Sequence, residues 1–184
     1  KNERSCDYGW MTKGDDTRAA ILSHALSLSS RVGLEGLTIG SLASAVGMTK
    51  SGVYAHFDSK EALQVAVLET AREVFVARVV VPALRAPRGV PRLRALLETW
   101  LAWGDCAELP GGCPFIGAAA EFDDRPGSVR DALVTHQRDL VGLIENTAAG
   151  AVREGQFRAD LDVTGFAQDT YGIILGYYHF AKLL

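Results

Sequence analysis

Apolar residues recur every three or four positions along nearly the whole chain, which is the spacing of one face of an α-helix. The first run can begin at a cap on Asp16 or Thr17, and it ends before Gly33. Its apolar members are Ile21, Ala25, Leu28 and Val32. The β-branched run Val79–Val81 ends a periodic helix and does not indicate a strand. The pattern therefore predicts an all-α protein.

Further helices are predicted from the same spacing and from the residues that interrupt it. Two short helices follow the first, and a longer one opens at a capping box of Asp58 and Glu61 and stops at Pro82. A later helix begins near Arg92 and breaks at Pro110. The remaining predictions are one or two turns over Phe115–Phe122, a helix over Ser128–Glu154 with a capping box of Ser128 and Asp131, and a last helix capped by Asp162.

The chain is expected to form two helical domains. Its 184 residues, 48% of them hydrophobic, are enough to bury a sizeable core. Residues 12–58 are expected to form a small three-helix bundle, and residues 59–184 a larger helical domain. The Ser59–Val81 helix would join them.

The segment Leu37–Leu63 has the features of a helix-turn-helix that binds DNA. Thr38 can cap a short helix, and Gly47 follows that helix where the turn needs a positive φ. Thr49 can cap a second short helix, which we expect to extend to Phe57. A DNA-binding motif needs small or polar side chains at the start of this helix, because they meet base edges in the major groove. Here they are Lys50, Ser51 and Gly52.

At these residues the chain resembles the TetR family of transcriptional repressors. The Tyr-x-His-Phe-x-x-Lys-Glu run follows the turn at the family's spacing, which makes the resemblance specific. The matching residues are Gly36, Thr38, Leu42, Ala43, Gly47, Thr49, Val53, Tyr54, His56, Phe57, Lys60, Glu61 and Leu63. The resemblance implies a homodimer that binds a palindromic operator in double-stranded DNA. It also implies a small-molecule effector, of unknown identity, in the C-terminal domain.

Contacts with bases are expected at the start of the second helix of the motif. Thr49 fixes this start, and Lys50 and Ser51 are best placed to meet bases, since lysine can donate to O6 and N7 of guanine. Gly52 has no side chain and lets the helix approach the DNA closely.

Contacts with phosphates are expected at four residues around the motif. Thr38 lies at a helix N-terminus, where backbone dipoles favour an anion. The family resemblance implies that Tyr54, His56 and Lys60 contact the DNA backbone, and a phenol, an imidazole and an ammonium can all donate to phosphate oxygens.

Net charge alone does not indicate a nucleic-acid partner. The chain carries a net charge of −3. Residues 1–60 hold seven Lys and Arg against six Asp and Glu, whereas the remainder holds twelve against sixteen. DNA binding would therefore depend on a local patch and not on bulk charge.

The effector site is expected where aromatic side chains lie near segments broken by glycine and proline. The candidate ligand contacts are Trp100, Trp103, Cys113, Phe115, His136 and Tyr171. Core packing is the competing interpretation for the aromatic residues. A hydrogen-bonded core or surface histidine is the competing interpretation for His136.

The three cysteines, Cys6, Cys106 and Cys113, form no regular framework, which favours a reducing compartment. Structural thiols are the favoured interpretation, and a redox- or electrophile-sensing regulator is the alternative. An enzyme with Cys113 as nucleophile and His136 as base is disfavoured, because no motif flanks either residue. The spacing matches no metal site, and no cofactor is expected.

The last helix keeps Gly165, Gly172 and Gly176 near one face, although each glycine costs about 1 kcal/mol of helix stability relative to alanine. Such a face indicates a close backbone neighbour, either in the same chain or in a second subunit. The family resemblance implies that the last two helices form the dimer. No apolar leader is seen in Lys1–Trp10, and Tyr171–Leu184 is too short to span a membrane, so a cytoplasmic protein is expected.

Overall fold

The computed structural model describes the backbone of residues 13–184 and the side chains from Asp16 onward. Helices make up 76% of the structure, and the described residues include no strand, which confirms the all-α prediction. The Lys1–Trp10 segment and the expected domain start at residue 12 lie outside the described residues.

Three helices form the N-terminal bundle: α1 (Lys13–Val32), α2 (Ile39–Val46) and α3 (Lys50–Tyr54). Gly33 ends α1 with a φ of +81°. The predicted cap at Asp16 or Thr17 is wrong, since α1 already contains both residues. The bundle is held by fully buried Leu37, Leu42 and Val53. Burial of such side chains contributes about 1.5–3 kcal/mol each.

The predicted long helix continues beyond its expected end. It comprises α4 (Lys60–Phe75), a π-helical segment (Val76–Val80) and α5 (Val81–Arg85). The backbone N–H of Val81 donates to the carbonyl of Val76, five residues back. This wider turn accommodates Pro82, which has no N–H to donate. The predicted stop at Pro82 is therefore wrong.

Four further helices complete the fold. They are α6 (Val90–Leu101), α7 (Pro114–Phe122), α8 (Ser128–Arg153) and α9 (Val163–Leu183). A short 3-10 turn over Ala102–Asp105 follows α6, so that helix ends well before Pro110. Asp162 caps α9 as predicted, accepting from the N–H of Gly165 at 3.0 Å.

The two predicted capping boxes at α4 and α8 do not form. Ser59, and not Asp58, caps α4 by accepting from the N–H of Ala62 at 3.0 Å. Glu61 instead accepts from the hydroxyl of Ser128 at 2.7 Å and from its N–H at 3.0 Å. These bonds lower the pKa of Glu61, and they tie the start of α8 to the start of α4.

A single apolar core runs from the N-terminal bundle into the other helices. Phe75, which is 3% exposed, forms its aromatic centre, with Trp100 and Trp103 packed edge-on at centroid distances of 5.3 Å. Edge-to-face pairs of this kind add about 0.5–1.5 kcal/mol beyond their buried area.

Polar contacts join the bundle to the helices that follow it. The amide nitrogen of Gln64 donates to the carbonyl of Leu34 at 3.0 Å. The N–H of Glu35 donates to the carboxylate of Glu121, at the end of α7, at 2.7 Å. The N–H of Gly111 donates to the hydroxyl of Ser30 at 3.0 Å. The C-terminal end of α1 is thus held by α4, α7 and the loop before α7.

Candidate functional site

The helix-turn-helix is built from local hydrogen bonds. The hydroxyl of Thr38 accepts from the N–H of Ser41 at 3.1 Å, and the hydroxyl of Ser41 accepts from the N–H of Thr38 at 3.2 Å. This reciprocal pair caps α2. At its other end Gly47 adopts a φ of +66°, in the left-handed region that favours glycine. The two expected ends of α2 are confirmed.

The recognition helix α3 is fixed by a cap and two buried side chains. Thr49 caps it by accepting from the N–H of Gly52 at 3.1 Å. Val53 is fully buried and Phe57 is 3% exposed, and the guanidinium of Arg18 in α1 lies 5.1 Å from the Phe57 ring centre. The helix ends at Tyr54, three residues before the predicted end at Phe57, because the chain turns there to enter the cap of α4.

The candidate base-contacting residues share one exposed surface. Thr49, Lys50 and Ser51 are exposed, and Gly52 is half-buried. Lys50 extends across the start of α2, where a Cβ atom at Gly40 would lie 3.3 Å from its Cε and 3.9 Å from the hydroxyl of Thr38. The N-terminal ends of α2 and α3 therefore present an ammonium and a hydroxyl side by side.

The candidate phosphate contacts differ in exposure and in the partners that they already have. Thr38 is exposed and Tyr54 is 55% exposed, whereas His56 is half-buried. The ammonium of Lys60 donates to the carbonyl of Glu35 at 2.7 Å and lies 3.4 Å from its carboxylate. Lys60 is therefore already paired with Glu35, and a DNA phosphate would have to compete with that carboxylate for the ammonium.

Part of the candidate ligand set comes together in the core of the second group of helices. Trp100, Cys113, Phe115 and Tyr171 surround one cavity, with the Trp100 and Tyr171 rings 6.0 Å apart. This cavity holds only about 10 Å³. Trp103 is 2% exposed and packs against Phe75 without lining it. These aromatic side chains fill a core, and the space that remains is too small for an effector.

A larger cavity of about 450 Å³, here the first cavity, lies between α8 and the continuous helix formed by α4 and the π-helical segment. Of the predicted ligand contacts it includes only Phe115 and His136. It is lined by Arg72, Phe75, Val76, Val80, Phe115, His136, Arg138, Asp139, Leu140, Gly142, Leu143 and Asn146. The π-helical segment supplies Val76 and Val80. Pro82, which lies inside an otherwise helical pattern, is the residue from which the sequence could have indicated a π turn here. Such turns often accompany functional sites.

His136 is 4% exposed on the wall of the first cavity. Its Nε2 lies 2.9 Å from a carboxylate oxygen of Glu69, and its ring packs edge-on against Phe115 at 5.5 Å. Its Nδ1 is buried and has no hydrogen-bond partner within residues 13–184. One nitrogen of the ring is thus satisfied in the core, and the other is not.

The described cysteines do not have the environment of reactive thiols. Cys106 and Cys113 form no disulfide with a described residue, and burial raises the pKa of each. A nucleophilic or redox-sensing thiol needs a lowered pKa. Cys6 lies outside the described residues. In the part of the chain that the structure describes, no group of three or more His, Cys, Asp or Glu residues could hold a metal ion.

Helix α9 carries an apolar stripe on its outer side. Its members, with their exposed fractions, are Ile173 (73%), Tyr177 (44%), Phe180 (62%) and Leu183 (67%). A Cβ atom at Gly172 or Gly176 would meet no atom of the described residues within 4 Å, so no packing among those residues explains these two glycines. Gly165, by contrast, lies against its own cap, Asp162. Between residues 13 and 184, no helix is long and apolar enough to cross a membrane.

The sequence matches two family profiles. The profile described as bacterial regulatory proteins of the tetR family matches residues 21–67, which include the helix-turn-helix. The profile described as the tetracyclin repressor-like C-terminal domain matches residues 89–184, just over half of the chain. No curated protein matches the sequence significantly.

The fold is shared with solved structures. A TetR transcriptional regulator from Chloroflexus aurantiacus superposes with a TM-score of 0.86 at 26% identity, over 94% of this chain and 87% of that one. AibR in complex with isovaleryl coenzyme A and operator DNA gives 0.72 at 26% identity, over 88% and 85%. The reduced form of E. coli NemR gives 0.77 at 26% identity, over 91% and 88%. With two family profiles matched and the fold shared, the chain belongs to the TetR family of transcriptional regulators.

Proposed function

We propose that this regulator is a repressor that binds a palindromic operator as a homodimer and releases it when a small molecule binds. The observation that carries the proposal is the exposed start of α3, where Lys50 lies beside Thr38 on helices anchored by buried Val53 and Phe57. A rigid helix with short polar side chains at its N-terminus is the element that enters a major groove. Residues 12–58 would form the DNA-binding domain, and residues 59–184 the ligand-binding and dimerisation domain, in a cytoplasmic protein.

The homodimer is supported by the apolar stripe of α9. One chain offers one recognition helix, and a single major-groove contact rarely gives specific affinity. Four exposed apolar side chains on one helix are unfavourable in water, and a second copy of α8 and α9 would bury them together with the two uncovered glycines. The two recognition helices would then face successive major grooves, about 34–36 Å apart.

Coupling between the ligand site and DNA is supported by α7. Phe115 at the start of this helix lines the first cavity, while Glu121 near its end holds the N–H of Glu35 in the N-terminal bundle. A shift of α7 would therefore move the bundle. The relative AibR, whose structure contains both isovaleryl coenzyme A and operator DNA, supports a small-molecule effector that acts on DNA binding. A ligand releases DNA only if its affinity differs between the free and the DNA-bound states.

We expect two different responses when the DNA-binding surface is altered. Lys50→Ala should cost about 1–3 kcal/mol on the best site and relax the preference for one base, since a lysine can read guanine. Tyr54→Phe should weaken all sequences alike, because a phosphate contact carries no base information. Fluorescence anisotropy on duplexes tiled across the genomic region around its own gene, at 50–200 mM salt, measures both.

The matched control is Lys182→Ala, which removes one exposed lysine from α9, far from the motif in sequence. Its affinity for DNA should equal that of the parent. If Lys50→Ala behaved like Lys182→Ala on every duplex, α3 would not be the DNA-reading element. Equal affinity of Tyr54→Phe and the parent would remove Tyr54 from the phosphate contacts.

A further inference from the structure

Two cavities lie next to each other along α8. The first cavity of about 450 Å³ shares Leu143 and Asn146 with a second cavity of about 200 Å³, here the second cavity. The second cavity continues toward the C-terminal end of α8, where Gly150 and Arg153 line it. We call the two together the α8 groove. From His136 to Arg153 is seventeen residues of helix, so the groove is about 25 Å long at 1.5 Å per residue.

The two ends of the α8 groove differ in polarity. The first cavity has the apolar residues Phe75, Val76, Val80 and Leu140 in its floor, and its charged residues are Arg138 and the pair of Arg72 and Asp139, 3.2 Å apart. The second cavity is lined by three arginines, Arg88, Arg92 and Arg153, against a single carboxylate, Glu154. In a chain whose net charge is −3, this is a local concentration of positive charge. An occupant that fits both ends needs an apolar part and an anionic part.

The three arginines at this end form no ion pair with a carboxylate of the described residues, and Arg88 and Arg153 are exposed. Arg92 donates to the carbonyl of Ala86 at 3.0 Å and 3.2 Å, which leaves its charge uncompensated. Arg88 and Arg153 have no hydrogen bond or ion pair with any described residue. A guanidinium offers paired N–H donors that match the oxygens of a phosphate. Three of them around one cavity favour a head with several negative charges over a single carboxylate.

We propose that the effector of this regulator is an amphiphile, an apolar chain joined to a phosphate-bearing head, and that it lies along the α8 groove. The apolar chain occupies the first cavity, and the head reaches Arg88, Arg92 and Arg153. The inference rests on the proposed ligand-responsive function and gives the chemical class of its ligand. Two kinds of molecule carry this chemistry: acyl thioesters of nucleotide carriers and single-chain lipid phosphates.

The test is calorimetric titration of the full chain with four probes: hexanoyl coenzyme A, coenzyme A, hexanoate and a lysophosphatidic acid. Hexanoyl coenzyme A and the lysophosphatidic acid each combine an apolar chain with a phosphate-bearing head. At least one of them should bind about tenfold or more tightly than coenzyme A or hexanoate. Arg88→Ala combined with Arg153→Ala should weaken the binding of that molecule about tenfold or more and leave the binding of hexanoate unchanged. The control Arg158→Ala, whose exposed side chain pairs with Asp160 at 3.5 Å, should bind as the parent does.

The probes separate the outcomes. Tighter binding of hexanoyl coenzyme A supports a nucleotide-carried acyl group, and tighter binding of the lipid phosphate supports a lipid effector. Absence of binding by both, or a double arginine variant that binds like the parent, overturns the proposal. DNA binding is measured on the same samples: a protein that binds DNA but no probe overturns only this inference, whereas a protein that binds no DNA overturns the proposed function.

Discussion

Ile173→Glu combined with Tyr177→Glu is expected to convert the proposed homodimer into monomers and to lower affinity for operator DNA about a thousandfold or more. Both side chains belong to the exposed stripe of α9, where Ile173 is 73% and Tyr177 44% exposed. Two carboxylates per chain would be buried without partners in a symmetric interface, and like charges would face each other across it. A monomer has one recognition helix, so its affinity should fall to that of non-specific binding.

Sedimentation velocity gives the oligomeric state, and anisotropy with a fluorescent operator duplex gives the affinity. Val81→Glu is the matched control, because it adds a carboxylate at another exposed apolar position, 41% exposed, that lies in α5 and outside α8 and α9. It should remain dimeric and bind DNA like the parent. A double variant that sediments as a dimer would place the interface elsewhere. A monomer with full affinity would show that dimerisation is not needed.

Trp100→Ala is expected to destabilise the protein by about 3–5 kcal/mol, the cost typical of removing a large aromatic side chain from a packed core. Trp100 is 3% exposed, packs edge-on against Phe75 at 5.3 Å and lies 6.0 Å from the ring of Tyr171. The cavity beside it has only about 10 Å³, so its neighbours are already in contact and the substitution would leave a hole. Its expected role is therefore in stability.

Urea unfolding followed by circular dichroism measures the change in the free energy of unfolding. Leu84→Ala is the control, since Leu84 is 48% exposed and its loss should change stability by about 0.5 kcal/mol or less. A Trp100→Ala variant with parental stability would contradict the packed aromatic core. It would also restore Trp100 as a candidate ligand contact.

Features that depend on neighbours in sequence could be predicted. Thr38, Thr49 and Asp162 cap helices through hydrogen bonds to N–H groups three residues later, and Gly47 takes the left-handed conformation that the turn requires. Each of these depends on at most five consecutive residues, so spacing alone identifies them. The all-α fold and the DNA-binding motif follow from such local signals.

Features that depend on distant contacts could not be predicted. Glu61 and Ser128 have the spacing of local caps, but they bond to each other across 67 positions. Lys60 pairs with Glu35, which approaches it only when α1 packs against α4. Pro82 was expected to end the helix, whereas a π turn accommodates the proline and the helix continues.

The ligand site illustrates the same limit. The candidate aromatic residues lie together around Trp100, but aromatic density in the sequence cannot distinguish a filled core from a lined cavity. That distinction depends on how the side chains interlock. The first cavity is instead lined by Val76, Arg138 and other residues whose side chains meet only after α4 and α8 have packed.

The most direct test of the central claim is selection of DNA by the full chain from a random duplex pool, followed by sequencing. The enriched site should be a palindrome whose half-site centres lie one helical turn, about 10 base pairs, or a multiple of it apart. With Lys50→Ala, the preference should be lost at symmetric positions in both half-sites while the spacing stays the same. No enriched sequence, or an enriched site without two-fold symmetry that Lys50→Ala leaves unchanged, would contradict a dimeric regulator that reads DNA through α3.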